Sequence, residues 1–383
     1  MNTLLPNSIQ KKLHEWGSFR EAAEVAAACP LKECREISGV HGVLHSYFIR
    51  EFFEANKKKW LSSLQYNVAG YSSQALACDS ARGFSSCASK LVVVVPGDRE
   101  AALLRTDLAT VFSEAEVSVI PNWGTLAYRP AAICSRVFGE RAGALAKLAL
   151  RSGDVAKAFR MQPEIFIVPQ KVFEGHVPPA AYIRSLLVEF QRGQRIDTMS
   201  IAERLSSLGY TRVPRVGMPG EFSLRGEVLD IFLPGEELAA RVLFDFDSIE
   251  EIKSFDPETQ ATVAKLERLL VYPMKEVIWT QELTDRLEAI LEEASGGELE
   301  HTEETEMHDS ARGADAGEFA GGTGYGPRLP FTAAALEARD ALLRSLRDSG
   351  AAEGEELFYP VLWDSENSIL DYIDGNGMVF FYD

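Results

Sequence analysis

Cysteine is scarce in this 383-residue chain, and its five residues, Cys29, Cys34, Cys78, Cys87 and Cys134, are odd in number. With no Cys-x-x-Cys spacing, they argue against a disulfide framework or a structural zinc site and fit a reducing, cytoplasmic setting. No apolar run approaches the ~20 residues that span a bilayer. The start, MNTLLPNSIQKKLHEW, turns polar within a few residues, so neither membrane embedding nor export is expected. Positive charge is short as well: Lys+Arg 39 against Asp+Glu 57 leaves a net charge of -18. That field repels phosphate backbones and acidic membrane surfaces, which disfavours autonomous nucleic-acid binding. What remains, 46% hydrophobic and 25% charged residues, is the composition of a globular protein, long enough for two or three domains of about 100 to 200 residues each.

The pattern along the chain predicts helices over 7–28, closed by Pro30, then a short strand at 34–38, the turn Gly39-Val40-His41-Gly42, and a helix carrying Leu44, Phe48, Phe52 and Phe53. Residues 61–89, rich in Ser, Ala and Gly, read as an irregular insertion. Leu91–Val95 is too apolar to have a wet face, and Pro-Gly-Asp followed by a helical pattern to Phe112 makes it a buried parallel strand feeding a helix. The alternation recurs at 117–120, 136–150 and 165–168, the signature of a doubly wound α/β layer. Beyond a helix at 200–208, stretches of period two at 222–232, 241–246 and 249–255 indicate an inserted α+β domain with an antiparallel sheet. A helix at 280–293 leads into an acidic, glycine-rich segment, 295–327, expected to be a disordered linker. A helix at 332–347 and a strand at 378–382 follow, and that last strand is expected to rejoin the first sheet. The chain stops directly after it, which reads as a boundary within a longer protein. The expected organisation is 1–184, 185–273 and 274–383.

Gly39 to Ser46 stands where a phosphate-binding loop belongs, between strand and helix. Such a loop needs Gly-Lys-Ser/Thr at its end, the lysine for the terminal phosphates and the hydroxyl for magnesium. Here Leu44 and His45 occupy the glycine and lysine places and only Ser46 remains. The loop, with Gly39 and Gly42, is therefore expected to be degenerate and to bind no nucleotide. His41 and His45 are spaced for a metal but lack a third ligand nearby, so no metal and no cofactor are expected. Trp123 is read as core. The remaining signal is Phe222 to Phe232 with Arg241 to Asp247. Alternation places Phe222, Leu224 and Val228 on one face, opposite Glu221, Ser223, Arg225 and Glu227, and gives Val242, Phe244 and Phe246 the buried parity, opposite Arg241, Leu243 and Asp245. If the two strands pair, Arg225 and Arg241 form a patch of guanidinium and apolar surface. It suits either protein recognition or plain surface pairing with Glu221, Glu227 or Asp245.

Gly193-Gln194, Leu208 to Val213, PGEFSLRGEVLDIF (219–232) and FDPETQ (255–260) resemble the module shared by the excision-repair protein UvrB and the bacterial transcription-repair coupling factors. Val95 to Glu100 and Pro121-Asn122-Trp123-Gly124-Thr125-Leu126, the latter for the family's Pro-Asp-Trp-Glu-Thr-Leu, favour the coupling factors. The resemblance runs from about residue 30 to the end, outside 61–89 and 295–327. It implies a P-loop-NTPase-like, RecA-like but degenerate α/β domain with an inserted α+β domain, arranged as in UvrB domains 1a, 2 and 1b. It implies a non-catalytic adaptor that recruits UvrA in transcription-coupled nucleotide excision repair, through residues matching Arg225 and Arg241. The family's second phenylalanine of Arg-x-x-Phe-Phe falls on Asp245, with Phe246 next to it. The family's polymerase-binding domain and ATP-driven DNA translocase would lie beyond residue 383, so RNA polymerase and DNA are expected partners only of those absent parts. The alternatives are a UvrB-type ATP-dependent damage-verification protein and an autoinhibitory clamp for the missing translocase part; the resemblance also implies intramolecular masking by the missing carboxy-terminal part.

Overall fold

The computed structural model describes residues 4–29, 34–68, 90–113, 115–124, 135–150, 164–295, 332–373 and 378–382. The chain divides into two compact units, one built from 1–125, 133–278 and 365–383, the other from 126–132 and 279–364.

The first unit opens with two helices, α1 (Leu4–Glu15) and α2 (Gly17–Ala27), separated at Trp16. Residues 34–38, expected as a short strand, form no strand. Helix α3 (Leu44–Val68) continues through residues expected to be irregular, and 69–89 lie outside the described residues. Then β1 (Lys90–Val95), α4 (Asp98–Val111), β2 (Glu116–Val119), α5 (Ser135–Ala149) and β3 (Glu164–Pro169) alternate. All neighbours are parallel, and β12 (Met378–Phe381) lies along β1, with Leu91 opposite Met378, giving the order β12-β1-β3-β2.

The alternation of β1 and β3 explains their continuous apolar runs. Val92, Val94, Phe166 and Val168 pack with Leu145 and Leu148 of α5 on one face. Leu91, Val93, Val95, Ile165 and Ile167 pack with Phe48 and Phe52 of α3 and Leu104 and Leu108 of α4 on the other. Both faces are covered by helices, so neither parity can be polar.

Between β3 and β12 the chain builds two antiparallel elements. One is the ribbon of β4 (Val188–Gln191) and β11 (Arg268–Val271). The other is a six-stranded sheet in the order β10-β9-β8-β7-β6-β5, from β5 (Thr211–Arg212), β6 (Glu221–Arg225), β7 (Val228–Ile231), β8 (Ala239–Asp245), β9 (Ser248–Phe255) and β10 (Thr262–Leu266). Its neighbours are antiparallel except β5 and β6, which are parallel. One face of this sheet, carrying Phe222, Leu229, Ile231, Val242, Phe244 and Ile252, packs on the helix Thr198–Ser207 through Ile201 and Leu205. The fold is thus α/β with a parallel sheet and separate antiparallel sheets.

Helix α5 anchors this region. Arg141, buried, donates from Nε to Glu276 at 2.5 Å and from Nη1 to the Pro121 carbonyl at 2.6 Å. Its guanidinium also lies 4.2 Å from the Trp123 ring centroid. Burial raises the Glu276 carboxyl above its usual range, although Arg141 opposes the shift. Gly143 on the same helix leaves room for Tyr272, whose ring carbon would stand 2.7 Å from an added Cβ.

The second unit holds the helices Gln281–Ser295 and Ala333–Ser349. The latter starts with the Thr332 hydroxyl accepting from the Ala335 amide and ends at Gly350 with φ 65°, a left-handed stop that favours glycine. Arg347 on the second helix pairs with Asp285 and Glu288 on the first. The expected linker at 295–327 falls, beyond Ser295, outside the described residues.

Candidate protein-docking surface

The outer face of the six-stranded sheet is set by the pairing of β6 with β7. The loop Gly226-Glu227 has two residues, Gly226 at φ 58°, as tight antiparallel hairpins require. It places Arg225 opposite Val228, and directly opposed residues share a face. Val228 therefore lies with Arg225 rather than with Phe222 and Leu224, because the two-residue turn resets the alternation that a continuous strand would keep.

Strands β6 and β8 are not neighbours; β7 lies between them. Arg225, Val228, Leu243 and Glu251 form one row across β6 to β9, and Ser223, Asp230, Arg241 and Lys253 form the next on the same face. Arg225 and Arg241 thus share a face, their Cα atoms about 12 Å apart on strand spacing and rise, with Val228 and Leu243 half-buried between them.

The two arginines have different surroundings. Arg225 is exposed at the end of β6. Arg241 is held: Nε and Nη2 donate to Asp230 Oδ1 and Oδ2 at 2.6 and 2.9 Å, and Nη2 also donates to Gln260 Oε1 at 3.1 Å. The guanidinium lies 4.5 Å from the Phe255 ring centroid. Its carboxylate partner is Asp230, not Glu221, Glu227 or Asp245, and the Asp230 side chain is only 3% exposed against 26% for Arg241. The hydrogen bonds that Arg241 donates to Asp230 raise its pKa above the usual value. Next to it, Glu251 joins Lys253 at 2.5 Å and Lys265 at 2.6 Å, and these lysines hold its carboxyl down to about 2.

Phe246 departs from its expected parity. Strand β8 ends at Asp245, which pairs with Ser248, so Phe246 and Asp247 form a two-residue hairpin loop and alternation stops there. Phe246 is 82% exposed and sits at φ 55°, a left-handed conformation costly for a bulky side chain. Among the described residues the other non-glycine at positive φ is Gln260, at φ 61°, the residue that accepts from Arg241. Asp245 is exposed at the strand end.

The loop Gly39 to Ser46 sits far along the chain from this face. Gly39 and Gly42 adopt φ 83° and 58°. The amides of Leu44, His45 and Ser46 donate to His41, Gly42 and Val43 carbonyls at 3.2, 3.1 and 3.1 Å. His45 Nδ1 meets the Gly42 carbonyl at 2.9 Å, fixing that nitrogen as the donor, and its ring lies 3.9 Å from the Tyr382 ring. Burial lowers the His45 pKa. Ser46 is buried. His41 and His45 gather no third ligand, and the described residues contain no group of three metal-binding side chains. Trp123 is half-buried against Arg141 and Phe138. No helix among the described residues is long and apolar enough to cross a membrane.

Residues 188–277 match the UvrB interaction domain, the span from β4 through β11. The chain is 37% identical over 123 residues to the transcription-repair-coupling factor of Myxococcus xanthus, covering 32% of this chain and 10% of that protein. It is 25% identical over 242 residues to the transcription-repair-coupling factor of Borreliella burgdorferi, covering 62% of this chain and 20% of that protein. It is also 38% identical over 99 residues to the UvrABC system protein B of Kosmotoga olearia, covering 26% and 15%. The matched part of the chain therefore spans a fifth or less of these relatives' lengths.

Proposed function

We infer that this chain, an amino-terminal UvrB-like region of the transcription-repair coupling factor kind, is a non-catalytic adaptor that docks UvrA in transcription-coupled excision repair. Its middle segment, 185–273, supplies the docking domain, inserted between a degenerate nucleotide-binding layer, 1–184, and a returning segment, 274–383. The pairing of β12 with β1 supports such an insertion. A cytoplasmic location follows from the same reading.

The observation that carries the proposal is the face bearing Arg225, Val228, Leu243 and Arg241. On a chain whose net charge is -18, it offers an exposed guanidinium beside apolar surface, and arginine is enriched at binding hot spots. Arg225 is the direct anchor. Arg241 is pre-organised by Asp230, Gln260 and Phe255, so less side-chain freedom is lost on binding. The exposed Asp245 and Phe246 border the same end of the sheet.

A nucleotide-hydrolysing role is disfavoured by the loop at 39–46. The amides that would cradle phosphate at the start of α3 are engaged with loop carbonyls, and helix N-termini bind anions through unengaged amides. His45, in the lysine place, is turned onto Gly42 and Tyr382. The test is a calorimetric titration of the chain with UvrA and, separately, with ATP and magnesium. Binding of UvrA without ATP binding supports the adaptor; ATP turnover, or no association with UvrA at micromolar concentration, overturns it.

A further inference from the structure

The docking reading above rests on strands β6, β7 and β8, but the topology brings a third loop to the same end of the sheet. The turn after β4, residues 192–196, is laced to the β8–β9 hairpin. Gly193 N–H donates to the Ile249 carbonyl at 2.8 Å, Ile249 N–H to the Gln194 carbonyl at 2.9 Å, and Ile196 N–H to the Asp247 carbonyl at 2.7 Å. Arg195 forms an isolated bridge with Ser248. On the other side, Phe244 N–H donates to the Glu227 carbonyl at 2.9 Å, which ties the Gly226-Glu227 turn to the same hairpin. Three loops from separate parts of the sequence therefore stand side by side around Phe246.

We propose that this tip is one continuous recognition element, in which Arg195 forms a second cationic anchor beside Phe246 and grips a carboxylate of the UvrA surface flanking an apolar cleft that receives the phenyl ring.

Three observations support it. Phe246 is exposed in a strained turn, where a glycine would be relaxed, so the ring is presented outward at a conformational cost that local packing does not explain. Arg195 is 83% exposed, and its ion pair with the 64% exposed Asp247 spans 4.0 Å, a contact too loose and too wet to hold it. Its guanidinium is thus available for a bidentate carboxylate. Backbone hydrogen bonds fix the loop itself, so the arginine is carried on a rigid support. The tip also bears Glu227, Asp245 and Asp247 beside Arg192, Arg195 and Arg225. Such a balanced pattern makes little net field and favours recognition by pairing with another protein over attraction to a polyanion.

The proposal rests on UvrA docking, and the experiment separates the two. The full chain is titrated with purified UvrA as wild type, Arg195→Glu, Phe246→Ala and Arg225→Glu, with thermal melting of each variant and a short DNA duplex as a control ligand. Arg195→Glu is expected to weaken UvrA binding by about tenfold to a hundredfold without lowering the melting temperature, and Phe246→Ala to weaken it by about tenfold or more. If Arg225→Glu loses affinity while Arg195→Glu and Phe246→Ala stay within twofold of wild type, the third loop is no part of the interface and the docking reading survives without it. If wild type ignores UvrA, or if the Arg195 effect appears only with the DNA duplex, this proposal is overturned; in the first case the docking reading falls with it.

Discussion

Arg241 and Asp230 face each other across β8 and β7 as a two-pronged ion pair, both carboxylate oxygens accepting from one guanidinium at 2.6 and 2.9 Å. The acid is buried and the base is partly exposed, so the pair is both part of the sheet and part of its surface. Charge reversal at Arg241 would leave Asp230 buried beside a second negative charge. Arg241→Glu is therefore expected to lower stability by ~3 to 5 kcal/mol as well as weakening binding, whereas Arg225→Glu is expected to cost ~1 to 3 kcal/mol of UvrA affinity alone. Parallel melting and calorimetry separate these effects; equal melting temperatures for both variants would count against the structural role of the pair.

Relief of backbone strain gives a second test. Replacing Phe246 with glycine removes a side chain from a left-handed turn at φ 55°, and folding stability is expected to rise by ~1 kcal/mol. Binding should fall at the same time. A variant that loses stability would show that the ring packs where the structure leaves it exposed. Urea midpoints at constant m-value provide the measurement.

Acid sensitivity has an assignable contributor in Glu251, whose carboxyl is held near 2 by Lys253 and Lys265. A folded-state pKa below the unfolded one means a stabilising contribution that is present above about 4.3 and fades as pH falls towards 2. The melting-temperature difference between wild type and Glu251→Gln should thus be largest near neutral pH and shrink between pH 4.5 and 2. A difference that is constant over that window would remove the assignment.

The buried pair Arg141–Glu276 supplies a stability prediction. Glu276→Ala strands the Arg141 guanidinium in the interior, with a hydrogen bond to Pro121 and the Trp123 ring but no carboxylate. A loss of ~3 to 5 kcal/mol is expected. Replacing Arg141 and Glu276 together with apolar residues of similar volume should cost less than Glu276→Ala alone, because no charge is then left unpaired. Chemical denaturation of the two variants distinguishes these outcomes.

Much of the layered architecture was legible in residue order. The runs Leu91–Val95 and Ile165–Val168 are apolar at both parities, and a strand with no polar face must lie between two covering layers; the structure places helices on both faces. Period two in 241–255 announced antiparallel strands, and the lack of a Gly-Lys pair ahead of Ser46 was readable from residue identity alone. Parity failed where turns intervened. Val228 and Phe246 were assigned faces by counting, but two-residue loops at 226–227 and 246–247 restart the count, and a left-handed phenylalanine carries no sequence signal in place of the usual glycine.

Residue order by itself determined the alternating strands and helices and the acidic balance, because local periodicity and side-chain chemistry act within a few residues of one another. Tertiary structure alone decided which strands are neighbours, that Asp230 rather than a nearer acid holds Arg241, and that the 192–196 turn joins the hairpin bearing Phe246. Those relationships are set by pairing between distant segments, where backbone hydrogen bonds and burial choose among partners that chain order leaves equally possible.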